Sequence, residues 1–262
     1  MNGRGWLALL AVVWSAGTAA AQTGEATAAR PALDVLPRFD FHLTAEHLSG
    51  TDPRFIWDAN FGGDLDLVDY GRGRASMVAN YQVILGDQIR AFDPNQGNYT
   101  LGLSGSWRLP KAEIFGVLHH ESRHLSDRPK QAPLDWNMLG VRIQAGGRRG
   151  RAETRVVGDV RGVILRSNVD YRWEAVGEVE HAVDVAPRVA VVSKGRVRVL
   201  GVDGSFDRGT QTGVRAEGGL RIAGRAGAVE LFLAGERRID PSLFQYNTTS
   251  WFMAGFRFLG RR

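Results

Sequence analysis

The sequence predicts an all-β fold, an antiparallel transmembrane β-barrel of about 12 strands. Three observations lead to this prediction: apolar and polar residues alternate along most of the chain, helical periodicity is nearly absent, and the connections between predicted strands are alternately short and long. A period of two sends successive side chains to opposite faces of a sheet. Tight turns at one end and longer loops at the other are typical of membrane barrels with an even number of strands.

The first element is an export signal. Arg4 precedes an apolar stretch from Trp6 to Trp14, and small residues end at Ala21. A basic start, a short apolar centre and an A-x-A site predict a cleaved signal peptide over residues 1–21. The alternative, a membrane anchor, would need roughly 20 apolar residues. We therefore expect an N-terminal periplasmic segment at 22–37 and a bacterial outer-membrane barrel over 38–262.

Twelve strands follow, each justified by its alternation. The second shows the pattern clearly, because Phe55, Trp57 and Phe61 alternate with Asp58 and Asn60. The ninth is the least regular, since Leu200 and Val202 interrupt its alternation and a long connection at 184–194 precedes it. The predicted strands cover about 38–47, 54–69, 73–86, 98–109, 112–122, 136–146, 151–165, 171–183, 195–205, 211–222, 228–238 and 250–259.

Alternation alone does not say which face is inside, and a soluble all-β protein is the alternative fold. Aromatic residues favour the membrane, because they gather at both ends of the strands, as in an interfacial girdle. The predicted outer ring contains Phe55, Trp57, Tyr99, Tyr171, Trp173 and Phe252. The predicted periplasmic ring contains Phe39, Phe41, Trp107, Phe256 and Phe258. The charged side chains then face the lumen.

The charge pattern excludes some functions. The chain has 33 Lys and Arg against 28 Asp and Glu, a net charge of +5, and no cysteine. Arginines are interleaved with acids, so no basic stripe forms and nucleic acid is not an expected partner. The absence of cysteine excludes disulfides, thiolate metal sites and a cysteine nucleophile. We expect the following charged residues to pair and fill the lumen, with a pore as the alternative: Arg151, Glu153, Arg155, Asp159, Arg161, Arg172, Glu174, Glu178 and Glu180.

A polar cluster ends the fifth strand. Its lipid-facing series includes Ile114 and Leu118, so parity places His120 and Ser122 on the outer wall. In the next strand, the series Leu139, Val141, Ile143 and Ala145 places Asn137 outward as well. If Ile114 pairs with Ile143 in an antiparallel hairpin, His120 lies opposite Asn137, with Cβ atoms roughly 5 Å apart.

Burying polar groups in hydrocarbon costs free energy, so three polar groups together on an apolar wall indicate a function. The chemistry they favour is acyl transfer, in which Ser122 is the nucleophile, His120 accepts its proton and Asn137 orients the imidazole. The substrate would be a lipid ester at the same depth. The alternative is that all three are ordinary polar groups at the headgroup level.

These residues resemble a known family. The run His120-Glu121-Ser122, followed by Trp136-Asn137, is similar to the H-x-S and W-N motifs of outer-membrane phospholipase A. The resemblance implies a twelve-stranded, calcium-dependent barrel with Ser122 as nucleophile, His120 as base and Asn137 as orienting residue. The resemblance covers about 18 residues that form recognisable motifs. In one place the sequences differ, because this chain has Ser122-Arg123-His124 where that family has S-N-G after its histidine. The run His120 to Asp127 also resembles an H-x-S-x-H-L-x-D segment of uncharacterised outer-membrane barrels, which implies fold and location only.

The resemblance implies Ca²⁺ as cofactor, and oxygen donors for it are available at Asp93, Asn95, Asp127 and Asp135. The expected partners are outer-membrane lipids, and a homodimer is left open. His119, Glu121 and His124 could form a metal site, although packing in the lumen is the favoured interpretation. The alternative function is a non-enzymatic structural, binding or solute-channel barrel.

Overall fold

The computed structural model describes residues 33–126, 134–243 and 245–261. These residues form an all-β barrel of twelve antiparallel strands, which confirms the predicted fold class. The predicted signal peptide and Asp127 lie outside these ranges. The strands are β1 (Asp34–Leu48), β2 (Trp57–Asp69), β3 (Arg74–Gly86), β4 (Asp93–Arg108), β5 (Ala112–Leu125), β6 (Leu134–Arg149), β7 (Ala152–Ser167), β8 (Tyr171–Ala186), β9 (Val189–Val202), β10 (Gln211–Ala223), β11 (Gly227–Ile239) and β12 (Thr248–Arg261).

Each strand pairs with its sequence neighbour, and β1 pairs with β12 to close the barrel. Closure leaves no exposed strand edge, so backbone groups are satisfied within the sheet, as a bilayer requires. Within the described part of the chain, no helix has the length and hydropathy to cross a membrane.

The two faces of the sheet differ in chemistry, as the alternation predicts. Large apolar side chains such as Leu101, Leu139 and Val160 are exposed on the outer wall. Charged side chains such as Glu174 and Glu230 are almost fully buried in the lumen. This distribution is the reverse of a soluble sandwich and matches an outer-membrane barrel.

The connections alternate in length except between β7 and β8, and one predicted connection is corrected. Residues 187 and 188 alone join β8 to β9, so the long connection expected at 184–194 does not exist. Strand β9 spans Val189–Val202 instead of 195–205. Pro187 lies in this tight turn, where its missing N–H removes no ladder hydrogen bond. Five turns of two to four residues are therefore at one end of the barrel, and the three-residue connection 168–170 between β7 and β8 is the one short connection described at the other end.

Two residues of the predicted outer aromatic ring are buried instead. Phe55 lies in the loop before β2 and packs into an apolar cluster with Leu48, Ile84 and Trp251. Tyr171 packs into a second cluster with Trp136 and donates a hydrogen bond to Asp240 over 2.8 Å. Other members of the two rings, including Tyr99, Trp107, Phe252 and Phe258, are exposed on the outer wall.

Ion pairs fill much of the lumen, as the charge pattern predicts. Glu174 accepts hydrogen bonds from Arg161 over 2.6 Å and from Arg198 over 2.6 Å. Arg257 pairs with both Glu217 and Glu230, which lie on neighbouring strands. Removing charge from water is costly, and these shared contacts offset that cost.

Candidate functional site

The polar cluster lies near the end of β5 that leads into the longer loop. Along this strand Phe115, Val117 and His119 are buried in the lumen, whereas Ile114 and Leu118 are exposed. His120 and Ser122 continue the outward series and are half-buried. The structure therefore places both on the lipid-facing wall.

The hairpin of β5 and β6 has the register that the apolar patterns predict. Its outward pairs are Ile114 with Ile143, Gly116 with Val141, Leu118 with Leu139 and His120 with Asn137. Ser122 lies opposite Asp135 in the same ladder. The register alone thus brings a histidine and an amide from two strands side by side.

His120 and Asn137 form a defined pair. The imidazole Nδ1–H donates a hydrogen bond to Asn137 Oδ1 over 3.0 Å. This bond selects the tautomer in which Nε2 carries a lone pair. A histidine in this state can accept a proton from a hydroxyl, which is the role of the base in a Ser-His-Asn site.

Ser122 has a different partner from the predicted one. Its Oγ shares a hydrogen bond with His124 Nε2 over 3.3 Å. Among the described residues, no hydrogen bond joins Ser122 to His120. The structure thus brings together two of the three predicted residues as a bonded pair and places the serine on the same face beside them.

His124 is the residue that the sequence interpretation missed. Packing in the lumen was favoured for it, but its contacts with Ser122 and with the exposed ring of Tyr99, at a centroid distance of 5.6 Å, place it on the outer wall. The signal was present, because residues 120, 122 and 124 share one parity. His119 and Glu121 do lie in the lumen, where His119 Nε2–H donates to the Glu121 carboxylate over 3.3 Å.

A row of aromatic rings leads across the outer wall to this site. Phe61, Tyr81 and Tyr99 are opposite one another on β2, β3 and β4, and Tyr99 is opposite Ser122. Consecutive ring centroids are 5.4 and 4.7 Å apart, within the range of favourable aromatic pairs. Rings at this level are typical of the interface between headgroups and acyl chains.

Of the described oxygen donors suggested for calcium, Asp135 alone lies beside the serine. Asp93 and Asn95 are buried at the start of β4, and Asn95 Nδ2 donates to the Arg54 carbonyl over 3.2 Å. Asp135 lies opposite Ser122 on the outer wall. Within the described ranges, no group of three or more His, Asp or Glu side chains could hold a metal ion. Asp93, Asn95 and Asp135 therefore do not gather into one site, and Asp127 lies outside the described residues.

No protein-family model and no curated protein matches the sequence. Solved structures do match the fold. An outer membrane phospholipase dimer with bound calcium from Salmonella typhi aligns with a TM-score of 0.53 and 14% identity, covering 84% of this chain and 90% of that one. Outer membrane phospholipase A from Escherichia coli aligns with a TM-score of 0.53 and 13% identity, covering 84% and 92%. The chain therefore has the fold of outer-membrane β-barrels of this kind.

Proposed function

We propose that this outer-membrane barrel is a lipid acyl hydrolase that cleaves phospholipid esters through Ser122. The observation that carries the proposal is the 3.0 Å bond from His120 to Asn137 on the lipid-facing wall, with Ser122 at the next outward position. A membrane lipid reaches this wall by diffusing in its own leaflet. The fold shared with outer-membrane phospholipases agrees with this assignment.

The reaction begins with rotation of the Ser122 side chain. Its hydroxyl points toward His124 in the structure, and a change of χ1 rotamer directs it toward His120, the other neighbour on the same face. His120 Nε2 then accepts the hydroxyl proton while Oγ attacks the ester carbonyl carbon. Asn137 keeps the ring oriented and stabilises the imidazolium through Nδ1–H.

Collapse of the tetrahedral intermediate breaks the bond to the glycerol oxygen, which takes the proton from His120 Nε2. The acyl group remains on Ser122 Oγ. Water, deprotonated by the same imidazole, then attacks the acyl carbonyl. The bond from the acyl carbon to Ser122 Oγ breaks, Oγ takes the proton back from His120 Nε2, and a fatty acid is released.

The surroundings of the dyad suit an acyl chain. Leu101 lies opposite His120 on one side, and Leu165 lies opposite Asn137 on the other. Both leucines are more than half exposed on the outer wall, at 53% and 66%. An ester at the headgroup level would place its acyl chain along these apolar side chains.

The test is fatty-acid release from phospholipid vesicles by refolded protein. We expect Ser122→Ala to lower the rate by about 10³-fold or more, because the nucleophile is lost. Ser193→Ala is the matched control, since Ser193 is also exposed on the outer wall and lies opposite a histidine, His181, near the other end of the barrel. Equal rates for wild type and Ser122→Ala would exclude the serine mechanism.

Two further properties of the phospholipase resemblance are proposals for this chain. Assays with calcium and with a chelator test the cation: the resemblance predicts that chelation abolishes fatty-acid release, and unchanged release would contradict it. Crosslinking in vesicles tests a homodimer. A crosslinked dimer that depends on substrate would support a site shared between two copies.

One observation favours a second candidate function, that of a non-enzymatic barrel with a structural or ligand-binding role. Ser122 bonds His124, whose ring contacts Tyr99 instead of an orienting amide. In that case Ser122 would resist a serine-directed sulfonyl fluoride, whereas an activated serine reacts with it.

A further inference from the structure

The lumen contains a polar cavity of about 480 Å³. Its lining, as far as the structure describes it, has four carboxylates and eight arginines, of which Arg237 points to the outer wall. A second cavity of about 210 Å³ shares Arg196, Arg215 and Arg257 with the first. Polar space therefore continues along the lumen, and arginine is the most frequent residue around it.

The cavity has two unlike walls. One consists of neutral polar side chains, because Asn60, Asn80 and Asn98 lie on β2, β3 and β4. The other includes Arg196 and Arg198 on β9, which is six strands from β3 in the ring of twelve and thus on the opposite side. A molecule in this space meets amides on one side and guanidinium groups on the other.

The amide wall is ordered by its own hydrogen bonds. His42 Nε2 lies 2.8 Å from Asn60 Oδ1 and 3.1 Å from Asn80 Oδ1. Asn98 Nδ2 donates to Gln82 Oε1 over 2.7 Å. Held amides of this kind bind hydroxyl groups with little further loss of side-chain entropy.

The arginine wall has an unmet donor. Arg161 lies on β7 beside this wall and is 5% exposed. Its Nη2 donates to Glu174 over 2.6 Å, its Nε lies 3.0 Å from Asp159 without forming a hydrogen bond, and its Nη1 has no hydrogen-bond partner. A buried donor without a partner is unfavourable. Arg196 lies on the same side with half of its side chain exposed inside the barrel, so the space beside it is open to water.

We propose that this cavity binds a small hydrophilic oxyanion, a molecule of about sugar size that carries a phosphate or carboxylate group. Guanidinium groups bind such anions through charge-assisted hydrogen bonds, with Arg161 and Arg196 as the main donors. The amide wall binds the hydroxyl groups of the same molecule. The volume is in the range of about 300–1,000 Å³ found for small-molecule sites. This site is on the lumen side of the sheet and does not depend on chemistry at Ser122.

The experiment is calorimetric titration of the full refolded chain in an uncharged detergent. The probes are glucose 6-phosphate and glucuronate, with glucose as the neutral probe of similar size. We expect both anions to bind about tenfold more tightly than glucose. Increasing salt should lower the affinity for both anions, because their recognition is electrostatic. Equal affinity for all three sugars, or no binding of either anion, would overturn the proposal.

Variants locate the binding in the lumen. Arg196→Gln is the main variant, because Arg196 and its partner Glu178 are both about half exposed and no buried charge is left behind. We expect this substitution to lower the binding affinity for both anions about fivefold or more. Arg161→Lys keeps the cation beside Glu174 and removes the Nη1 donor, and we expect a similar loss. Arg225→Gln, in the exposed turn between β10 and β11, is the control and should bind as wild type. Unchanged affinity in both Arg196→Gln and Arg161→Lys would contradict the assignment.

Discussion

Two imidazoles flank the hydroxyl of Ser122 along one face of β5, and they differ in how they are held. His120 donates to Asn137 over 3.0 Å, so its accepting nitrogen is defined. His124 shares its Nε2 with the serine over 3.3 Å and has an aromatic edge beside it. A base needs a fixed tautomer as well as proximity, and only His120 has an orienting oxygen among the hydrogen bonds described.

Removing each histidine in turn separates these roles. We expect His120→Ala to lower the rate of phospholipid hydrolysis by about 10³-fold, because the oriented base is lost. We expect His124→Ala to keep most of the activity, since it removes only the partner of the resting serine. The measurement is fatty-acid release at saturating lipid. The reverse order of effects would assign the base to His124.

Residue pairs of this kind were predictable only in part. Parity and register sufficed to place His120 beside Asn137, because the position of a residue in a strand determines the face of the sheet on which its side chain lies. The direction of the Ser122 hydroxyl depends on a side-chain rotamer, which the alternation does not determine. The outward position of His124 followed from the same parity and was missed, and only its hydrogen bond with Ser122 depends on a rotamer.

An exposed carboxylate outside the strands gives a prediction about pH. Hydrogen bonds from Ser205 and then the Arg166 guanidinium lower the pKa of Asp203 to about 2. Because the folded pKa is below the unfolded value of about 3.9, the stabilisation is present above that value and is lost as pH falls toward 2. We expect Asp203→Asn to be less stable than wild type at neutral pH and equal to it near pH 2. Urea unfolding at several pH values measures this difference, and a gap that persists at the lowest pH would contradict it.

Strand β9 shows where element boundaries escaped prediction. The sequence around Leu200 and Val202 is apolar at consecutive even positions, because Leu200 packs into the lumen cluster with Trp136 and Tyr171. These apolar side chains face the lumen, where the alternation predicts polar residues, and the start of the strand was therefore predicted incorrectly. The turn at 187–188 was likewise hidden, because Val189 to Val192 have no polar alternation. Lumen packing overrode the period-two signal in both places.

The pair of glutamates on β8 tests how the lumen is stabilised. Glu174 has a side-chain exposure of 2% and pairs with Arg161 and Arg198, whereas Glu178 on the same strand is 45% exposed. We expect Glu174→Ala to lower the free energy of unfolding by about 3–5 kcal/mol, because it leaves buried guanidinium groups unpaired. Glu178→Ala, the control, should cost about 1 kcal/mol or less. Unfolding of refolded barrels in urea gives both values, and equal losses would show that burial does not decide them.

The whole molecule is a sheet closed with its apolar side outward. The twelve strands and their order were predictable, since alternation, turn length and an even strand count agree with one another. The burial of Phe55 and Tyr171 was not predictable, because an aromatic residue at a strand end can lie in an interfacial girdle or pack into a cluster inside the barrel. The activity was less predictable still, since folds do not determine chemistry.

Closure of the barrel has a direct consequence for electrophoresis. A β-barrel closed by pairing of β1 with β12 has no free edge from which unfolding can start. We expect the refolded protein to migrate differently in SDS before and after boiling. Identical migration of boiled and unboiled samples would instead favour a soluble β-protein.

Identification of the residue that a serine-directed reagent modifies tests the proposed hydrolase most directly. Refolded protein is treated with a serine-directed sulfonyl fluoride, digested and examined by mass spectrometry, alongside the His120→Ala and Ser193→Ala variants. We expect one modified peptide containing Ser122, strongly reduced in His120→Ala and unchanged in Ser193→Ala. An unmodified Ser122, or labelling that is the same with and without His120, would contradict it.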